Sequence, residues 1–302
     1  MPAPSTPDAP FGRVLTAMIT PFQADGSLDL GGAQKLAEHL VAAGHDGLVI
    51  SGTTGESPTT SDAEKAALVR AIVEAVGDSA HVVAGVGSNE TRHTVELAQQ
   101  AAAAGASALL VVTPYYNRPP QAGLLAHFTA AADATDLPVM LYDIPSRTGR
   151  AIEADTLRRL AEHPRIVANK DAKGDLAQAA DIMATTDLVY YSGDDALNLP
   201  LLALGAAGVV SVVAHLVGPR IRALVEAYLA GDVRLARDID RGLLPVYTGL
   251  FRTQGTILTK AALTQLGLPA GPVRLPLVDA TEAELAQLVL DLNDGQVEGF
   301  TA

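Results

Sequence analysis

Residues 138–144 read Pro-Val-Met-Leu-Tyr-Asp-Ile and residues 166–171 read Ile-Val-Ala-Asn-Lys-Asp. Both runs are short and rich in apolar and β-branched residues, and a stretch with helical spacing separates them. Continuous rather than alternating apolar runs are typical of parallel strands whose crossover helices cover both faces of the sheet. The segment therefore predicts one strand-helix-strand unit.

The same alternation extends in both directions over most of the 302 residues. Eight runs of this kind occur, each followed by an Ala- and Leu-rich stretch at helical spacing: Val14–Thr20, Gly47–Ile50, His81–Val86, Ala108–Thr113, Pro138–Ile144, Ile166–Asp171, Leu188–Ser192 and Gly208–Val213. Eight such units predict an α/β fold, a (β/α)8 barrel of the TIM type. A doubly wound open sheet is the competing topology, because periodicity does not show whether a sheet closes.

Past about Asp232 the strand signal stops, and helical stretches rich in Ala, Leu and Arg run to about Leu292. We therefore predict a flexible N-terminal extension over residues 1–11, the barrel over 12–231 and a C-terminal helical appendage over 232–302. Ser61 and Glu64 have the spacing of a capping box. Three glycines stand where the first three helical stretches need left-handed caps: Gly44, Gly77 and Gly105.

Composition excludes several classes of function. The chain carries 21 Lys and Arg against 34 Asp and Glu, a formal net charge of −13, and it has no basic run that could bind nucleic acid. It has no cysteine, which excludes thiolate nucleophiles and thiolate metal sites and fits a reducing compartment. We find neither a secretory signal nor an apolar stretch of roughly 20 residues that could span a membrane. We therefore expect a cytoplasmic protein with no membrane or nucleic-acid partner.

Barrels of this type place their active sites where strands end and β-α loops begin. Polar residues concentrate at these positions: Thr53, Thr54, Tyr115, Tyr116, Tyr142, Arg147, Lys170, Ser192 and Asp194. No phosphate-binding loop, nucleophile elbow or His-Glu-x-x-His motif occurs. The seven histidines are scattered, mostly at expected helix-surface or loop positions. We therefore expect neither a metal site nor a cofactor.

Lys170 is the most informative of these residues, because it lies near the end of an apolar strand. Desolvation there lowers the pKa of an amine and raises the neutral fraction that can attack a ketone. The alternative is a structural lysine paired with Asp171 or another acid. The other four lysines look ordinary, with two on polar helix faces, one in a loop and one in the tail: Lys35, Lys65, Lys173 and Lys260.

Three further features suggest chemistry but are weak one by one. Tyr142 could move protons, or it could be a core aromatic residue. The loop Gly52-Thr53-Thr54-Gly55-Glu56-Ser57 offers backbone and hydroxyl donors for a carboxylate. Arg147 could bind a second carboxylate through its guanidinium fork, or it could be a solvated loop residue.

Taken together, the motifs resemble the dihydrodipicolinate synthase (4-hydroxy-tetrahydrodipicolinate synthase) family, in order from about Gly12 onward. They are Gly52-Thr53-Thr54-Gly55-Glu56, Thr113-Pro114-Tyr115-Tyr116-Asn117-Arg118-Pro119, Tyr142-Asp143-Ile144-Pro145-Ser146-Arg147-Thr148-Gly149, Lys170-Asp171-Ala172, Ser192-Gly193-Asp194-Asp195 and Gly208-Val209-Val210-Ser211-Val212. The resemblance implies a class I aldolase-like lyase of lysine and diaminopimelate biosynthesis. Its substrates would be pyruvate and L-aspartate 4-semialdehyde.

The resemblance also implies a role for each matching residue. Lys170 would form the Schiff base, and a proton relay would consist of Tyr142, Thr53 and Tyr116, the last supplied by a neighbouring subunit of a homotetramer. The pyruvate carboxylate would be bound by Thr53 and Thr54 and the semialdehyde carboxylate by Arg147. The main chain near Gly193 and Val210 would line the pocket.

Two alternatives and one regulatory expectation remain. N-acetylneuraminate lyases and 2-keto-3-deoxy sugar acid aldolases share the fold and the Schiff-base lysine but usually lack an arginine at the position of Arg147. A catalytically inactive barrel would have no need for an unpaired barrel lysine. At the family's lysine-inhibitor site this chain has Asp62, Lys65 and His93, and the charge of Lys65 would repel an amino-acid ammonium, so we expect weak or absent inhibition by lysine.

Overall fold

The computed structural model describes residues 8–300, so residues 1–7 of the expected extension and residues 301 and 302 lie outside it. Its eight strands coincide closely with the eight predicted runs: β1 (Val14–Ala17), β2 (Gly47–Ile50), β3 (His81–Gly85), β4 (Ala108–Val112), β5 (Val139–Asp143), β6 (Ile166–Asp171), β7 (Val189–Ser192) and β8 (Gly208–Ser211). Six of the predicted runs extend one to three residues beyond the observed strands, and these extra residues lie in the loops.

The strands form one closed parallel barrel in chain order. Closure is made by β1 and β8, where Val14, Leu15 and Thr16 pair with residues 209–211. This pairing confirms the predicted (β/α)8 barrel and excludes the open sheet. All carboxyl ends of the strands consequently meet at one rim.

Helices surround the barrel and continue past it. Those of the barrel are α1 (Leu30–Ala42), α2 (Asp62–Val76), α3 (Thr91–Ala103), α4 (Gln121–Asp133), the short α5 (Pro145–Thr148), α6 (Ala154–Ala161), α7 (Leu176–Thr185), α8 (Asn198–Leu204) and α9 (Ala214–Leu229). Those of the tail are α10 (Val233–Leu250), α11 (Gly255–Gln265) and α12 (Glu282–Asp294). The predicted helical appendage is thus present, and it packs against α9 through a separate apolar cluster.

Alternation along the strands decides which side chains reach the barrel interior. One apolar cluster fills the interior, and Met140, Ala168 and Tyr191 belong to it. Lys170 follows Ala168 by two residues and therefore points inward as well. It is paired in register with Tyr142 on β5 and with Tyr191 on β7. At the opposite end of the barrel, Phe11 from the expected extension is buried against Tyr191.

Local signals mostly hold. Ser61 and Glu64 form the predicted capping box at the start of α2. Gly44 and Gly105 have φ angles of +92° and +93°, as a left-handed cap requires. Gly77 does not, since its φ is −59° and it ends α2 in a right-handed conformation. Within residues 8–300 no helix is long and apolar enough to cross a membrane.

Candidate active site

Lys170 lies at the bottom of a cavity at the carboxyl rim of the barrel and is 4% exposed. Desolvation lowers the pKa of its amine from 10.5 to about 8, and the positive charge of Arg147 acts in the same direction. At pH 7 an amine with this pKa is neutral in about one molecule in ten, against roughly one in 3,000 for an exposed lysine. Burial therefore supplies a usable nucleophile.

Among the described residues, no carboxylate is ion-paired with the Lys170 amine. Asp171, the acid weighed as its structural partner, points to the other face of β6 and accepts from the amides of Lys173 and Gly174 at 3.1 and 3.3 Å. The amine lies over the ring of Tyr142, whose centroid is 4.2 Å from Nζ. Lys170 is thus not a structural lysine paired with Asp171 or another acid.

Gly193 makes room for the Lys170 side chain. A Cβ atom at residue 193 would lie 2.8 Å from Lys170 Cγ and 2.9 Å from Cε, closer than non-bonded carbon atoms approach. The glycine after β7 is therefore required by steric contact with the lysine stem rather than by an unusual φ angle. Its main chain lines the cavity as predicted from the sequence.

Tyr142 is 6% exposed, and burial raises the pKa of its phenol to about 12. The phenol therefore keeps its proton at neutral pH. Its backbone carbonyl accepts from the amide and hydroxyl of Thr113, whereas its own hydroxyl has no hydrogen-bond partner among residues 8–300. A protonated hydroxyl facing the cavity is suited to donate a proton and to take it back.

Thr53 and Thr54 lie in the loop after β2, and both face the cavity. Their hydroxyls form no hydrogen bonds with other described residues. Their backbone carbonyls do: Thr53 O accepts from the amide of Glu56 at 3.1 Å, and Thr54 O accepts from the hydroxyl of Thr256 at 3.2 Å. Fixed backbone with uncommitted hydroxyls is what a bound carboxylate requires.

Arg147 lies in the short helix α5 after β5 and is exposed at the cavity rim. No carboxylate among the described residues pairs with its guanidinium. The cavity has a volume of about 400 Å³ and brings together six of the eight residues singled out from the sequence: Thr53, Thr54, Tyr142, Arg147, Lys170 and Gly193.

The remaining two residues lie elsewhere. Tyr116 is 89% exposed and has a φ of +73°, so its ring projects from the protomer instead of into its cavity. Val210 is buried in the barrel interior, and the cavity wall on that strand is formed two residues later by Val212. A second cavity of about 250 Å³ adjoins the first at Thr53 and Tyr142.

Known proteins match this chain over nearly its whole length. The model of the dihydrodipicolinate synthetase family matches residues 10–294. This chain belongs to that family. It is 67% identical to 4-hydroxy-tetrahydrodipicolinate synthase 2 of Streptomyces coelicolor over 97% of this chain and 98% of the relative, and 66% identical to the synthase of Acidothermus cellulolyticus over 97% and 94%. The lysine-bound crystal structure of the enzyme from Cyanidioschyzon merolae superposes with a TM-score of 0.93 at 45% identity, covering 95% of this chain and 98% of that one.

Sequence reasoning missed what the tail brings to this family member's cavity. Leu244, Tyr247 and Phe251 of the α10 segment and Thr256 of α11 line its outer wall. No local sequence pattern predicts that these residues line the cavity, because they are distant in sequence from every strand end. Sequence reasoning also assigned no role to Asp195. Its buried carboxylate accepts from the amides of Val212 and Val213 at 2.9 and 3.1 Å. Its negative charge opposes the lowering of the Lys170 pKa.

One prediction about ordinary residues was wrong. Lys260 lies in the tail but is not an ordinary lysine, since it is 2% exposed and ion-paired with Glu56 at 2.6 Å. Of the seven histidines, three are buried: His45, His127 and His215. They act as polar partners inside the fold, as when His215 Nε2 accepts from the amide of Ile19 at 3.1 Å. Among residues 8–300 no three His, Asp or Glu side chains are grouped so as to hold a metal ion.

The residues predicted for the family's inhibitor site also come together. His93 Nε2 lies 2.9 Å from Asp62 Oδ2, so this acid is already paired. The amine of Lys65 donates to the carbonyl of Thr60, and burial lowers its pKa. The expectation of weak inhibition by lysine stays a prediction.

Proposed function

We propose that this family member is a 4-hydroxy-tetrahydrodipicolinate synthase and condenses pyruvate with L-aspartate 4-semialdehyde. The observation that carries the proposal is the single cavity in which the unpaired Lys170 amine lies beside two threonine hydroxyls and a free guanidinium at the rim. Two anionic substrates need two local sites for their carboxylates, and this cavity has both despite the net charge of −13.

The first half-reaction joins pyruvate to Lys170. The neutral amine attacks the C2 carbonyl, the carbinolamine loses water, and a protonated Schiff base results. Loss of a proton from C3 then gives an enamine. The pyruvate carboxylate is bound by Thr53 and Thr54 in this scheme, which aligns C2 with the amine.

The second half-reaction forms the carbon-carbon bond. The enamine C3 attacks the aldehyde carbon of the semialdehyde, whose oxygen takes up a proton, while Arg147 binds the distal carboxylate. The amino group of the new product then attacks C2, closes the ring and releases Lys170 as the free amine. The net reaction converts one pyruvate and one semialdehyde into the cyclic product and one water, the water lost on Schiff-base formation. The free enzyme is regenerated, and no oxidant or reductant is needed.

Proton transfer is assigned to Tyr142, Thr53 and Tyr116 of a neighbouring subunit. Tyr142 lies beside the Lys170 amine and holds its proton at neutral pH. The exposed Tyr116 does not line the cavity of its own protomer, and a neighbouring subunit that inserts its Tyr116 into that cavity would complete the relay. We therefore propose a homotetramer, assembled at least as a dimer through this face, with a cytoplasmic location.

Trapping with borohydride tests the proposal. Incubation with pyruvate and borohydride should add about 72 Da to Lys170, the mass of a reduced pyruvate imine. No adduct, or an adduct on another lysine, would show that the mechanism is wrong. A reductase-coupled assay with both substrates separates the proposed activity from that of a sugar-acid aldolase, because turnover of a sugar acid with no signal from the semialdehyde would favour the latter.

A further inference from the structure

A buried ion pair that the reaction scheme does not use links the C-terminal tail to the β2 loop. Lys260 of α11 and Glu56 are each 2% exposed, and Lys260 Nζ lies 2.6 Å from Glu56 Oε1. The second carboxylate oxygen accepts from the amide of Arg274 at 2.8 Å. Buried charges are costly unless paired, so a pair retained at this position calls for an explanation.

Lys260 is not a second nucleophile. Its amine also donates to the carbonyl of Pro272 at 2.8 Å, and its Nζ lies 4.3 Å from the ring centroid of Phe22. It borders a groove of about 720 Å³ between α11 and the segment that follows it, and not the cavity that holds Lys170. Its two polar contacts, with the Glu56 carboxylate and the Pro272 carbonyl, both join separate segments of the chain.

The segment held is the carboxylate-binding loop. Three consecutive residues of the loop are anchored from outside it: Thr256 Oγ1 donates to Thr54 O at 3.2 Å, Thr20 Oγ1 donates to Gly55 O at 2.7 Å, and Lys260 pairs with Glu56. Thr256 and Lys260 are four residues apart on α11 and so share one helix face. The tail therefore presents two adjacent anchors to this loop.

The loop needs such anchors because its backbone is unfavourable. Ser51, directly before the loop, and Glu56, within it, have φ angles of +58° and +55°, in the left-handed region that residues with a side chain rarely adopt. Conformations of this kind persist only where the surroundings impose them. The Glu56 amide donates to Thr53 O, so a change at Glu56 is transmitted directly to a residue that faces the cavity.

We propose that Lys260 is a positioning residue for pyruvate, which acts through Glu56 to hold Thr53 and Thr54 in the geometry that receives the carboxylate. The inference rests on the proposed function. It predicts that the helical tail contributes to substrate affinity and does not merely stabilise the barrel. Loss of the ion pair should weaken pyruvate binding while the amine chemistry at Lys170 persists.

The experiment measures borohydride trapping at Lys170 against pyruvate concentration, without the semialdehyde. For Lys260→Met we expect the half-saturating pyruvate concentration to rise about tenfold, with the plateau of trapping retained. Glu56→Gln should also raise the half-saturating pyruvate concentration. The double variant Lys260→Met/Glu56→Gln should be less impaired than the sum of the single changes, because the double variant leaves no unpaired buried charge. Lys35→Met, on an exposed lysine of α1, is the matched control and should match the wild type.

Each outcome is decisive. If Lys260→Met melts at a lower temperature yet keeps a half-saturating pyruvate concentration within about twofold of the wild type, the ion pair is purely structural and the inference is wrong. If Lys260→Met does not fold, Thr256→Val, which removes only the Thr256 hydroxyl that donates to the Thr54 carbonyl, decides by the same readout. Absence of trapping in the wild type would instead overturn the proposed function, and the inference with it.

Discussion

The stem of Lys170 lies directly against the main chain of Gly193, with only 2.8 Å between Lys170 Cγ and the place where a Cβ atom of residue 193 would stand. Strands β6 and β7 are hydrogen-bonded neighbours, so neither can retreat without breaking the barrel ladder. The lysine's path to the cavity is thus defined by the missing side chain at the residue that follows β7.

Gly193→Ala should consequently slow Schiff-base formation. The added methyl group displaces the lysine stem, because the competing movement of the backbone is blocked, and we expect the rate of borohydride trapping to fall by roughly tenfold to a hundredfold. Gly31→Ala, where the nearest atom to a new Cβ is 3.9 Å away, is the matched control and should trap at the wild-type rate. An unchanged rate in Gly193→Ala would show that the stem has another path.

The rate of trapping should rise with pH through about 8. The pKa of Lys170 is lowered to about 8, and only the neutral amine attacks the ketone, so the rate increases while the amine loses its proton and levels off above that pH. Initial trapping rates at saturating pyruvate from pH 6 to 10 measure this, with a free lysine analogue under the same conditions as the reference. A midpoint near 10.5 would mean that burial does not activate the amine.

Arg147→Ala should impair the second substrate much more than the first. The guanidinium is free at the rim and is assigned to the semialdehyde carboxylate, so we expect kcat/KM for the semialdehyde to fall about a hundredfold or more, while trapping of pyruvate changes little. Arg70→Ala, on an exposed arginine of α2, controls for the general loss of positive charge. Equal losses in both assays would contradict the assigned role.

Exposed Tyr116 and buried Tyr142 should complement each other between subunits. Tyr116→Phe and Tyr142→Phe should each be nearly inactive alone. If a neighbour supplies Tyr116, a mixed dimer contains one site with both tyrosines intact, and random mixing should restore about a quarter of full activity. Co-refolding of the two variants followed by the coupled assay measures this. Activity no higher than that of the separate variants would contradict the supply of Tyr116 by a neighbouring subunit.

Inhibition by lysine should be weak. The Lys65 amine and the His93–Asp62 pair occupy the region where the family binds the inhibitor, and a cation there repels the ammonium group of the ligand. Initial rates with added lysine should remain close to the uninhibited value into the millimolar range. Lys65→Met should increase sensitivity, whereas Lys35→Met should not. Near-complete inhibition of the wild type at millimolar lysine would refute the prediction.

Much of this molecule was readable in the sequence. Continuous apolar runs of this length are typical of strands covered on both faces, and eight of them separated by helical stretches identified every strand of the barrel. The position of Lys170 at the end of such a run identified a buried amine that has no carboxylate partner and whose pKa desolvation lowers to about 8. Capping signals were less certain, as Gly77 shows, because a glycine can end a helix in either hand.

Tertiary structure decided what depends on contacts between distant segments. Closure of β1 on β8 follows from the curvature of the whole sheet, and no local pattern records it. Lys260 and Glu56 are separated by more than half of the chain, so only folding shows that an apparently ordinary lysine is a buried partner of the loop after β2. Sequence alone determines which segments are strands and which residue types stand at their ends, because those depend on near neighbours. Which ends meet, and which charges lose their water, is determined by packing.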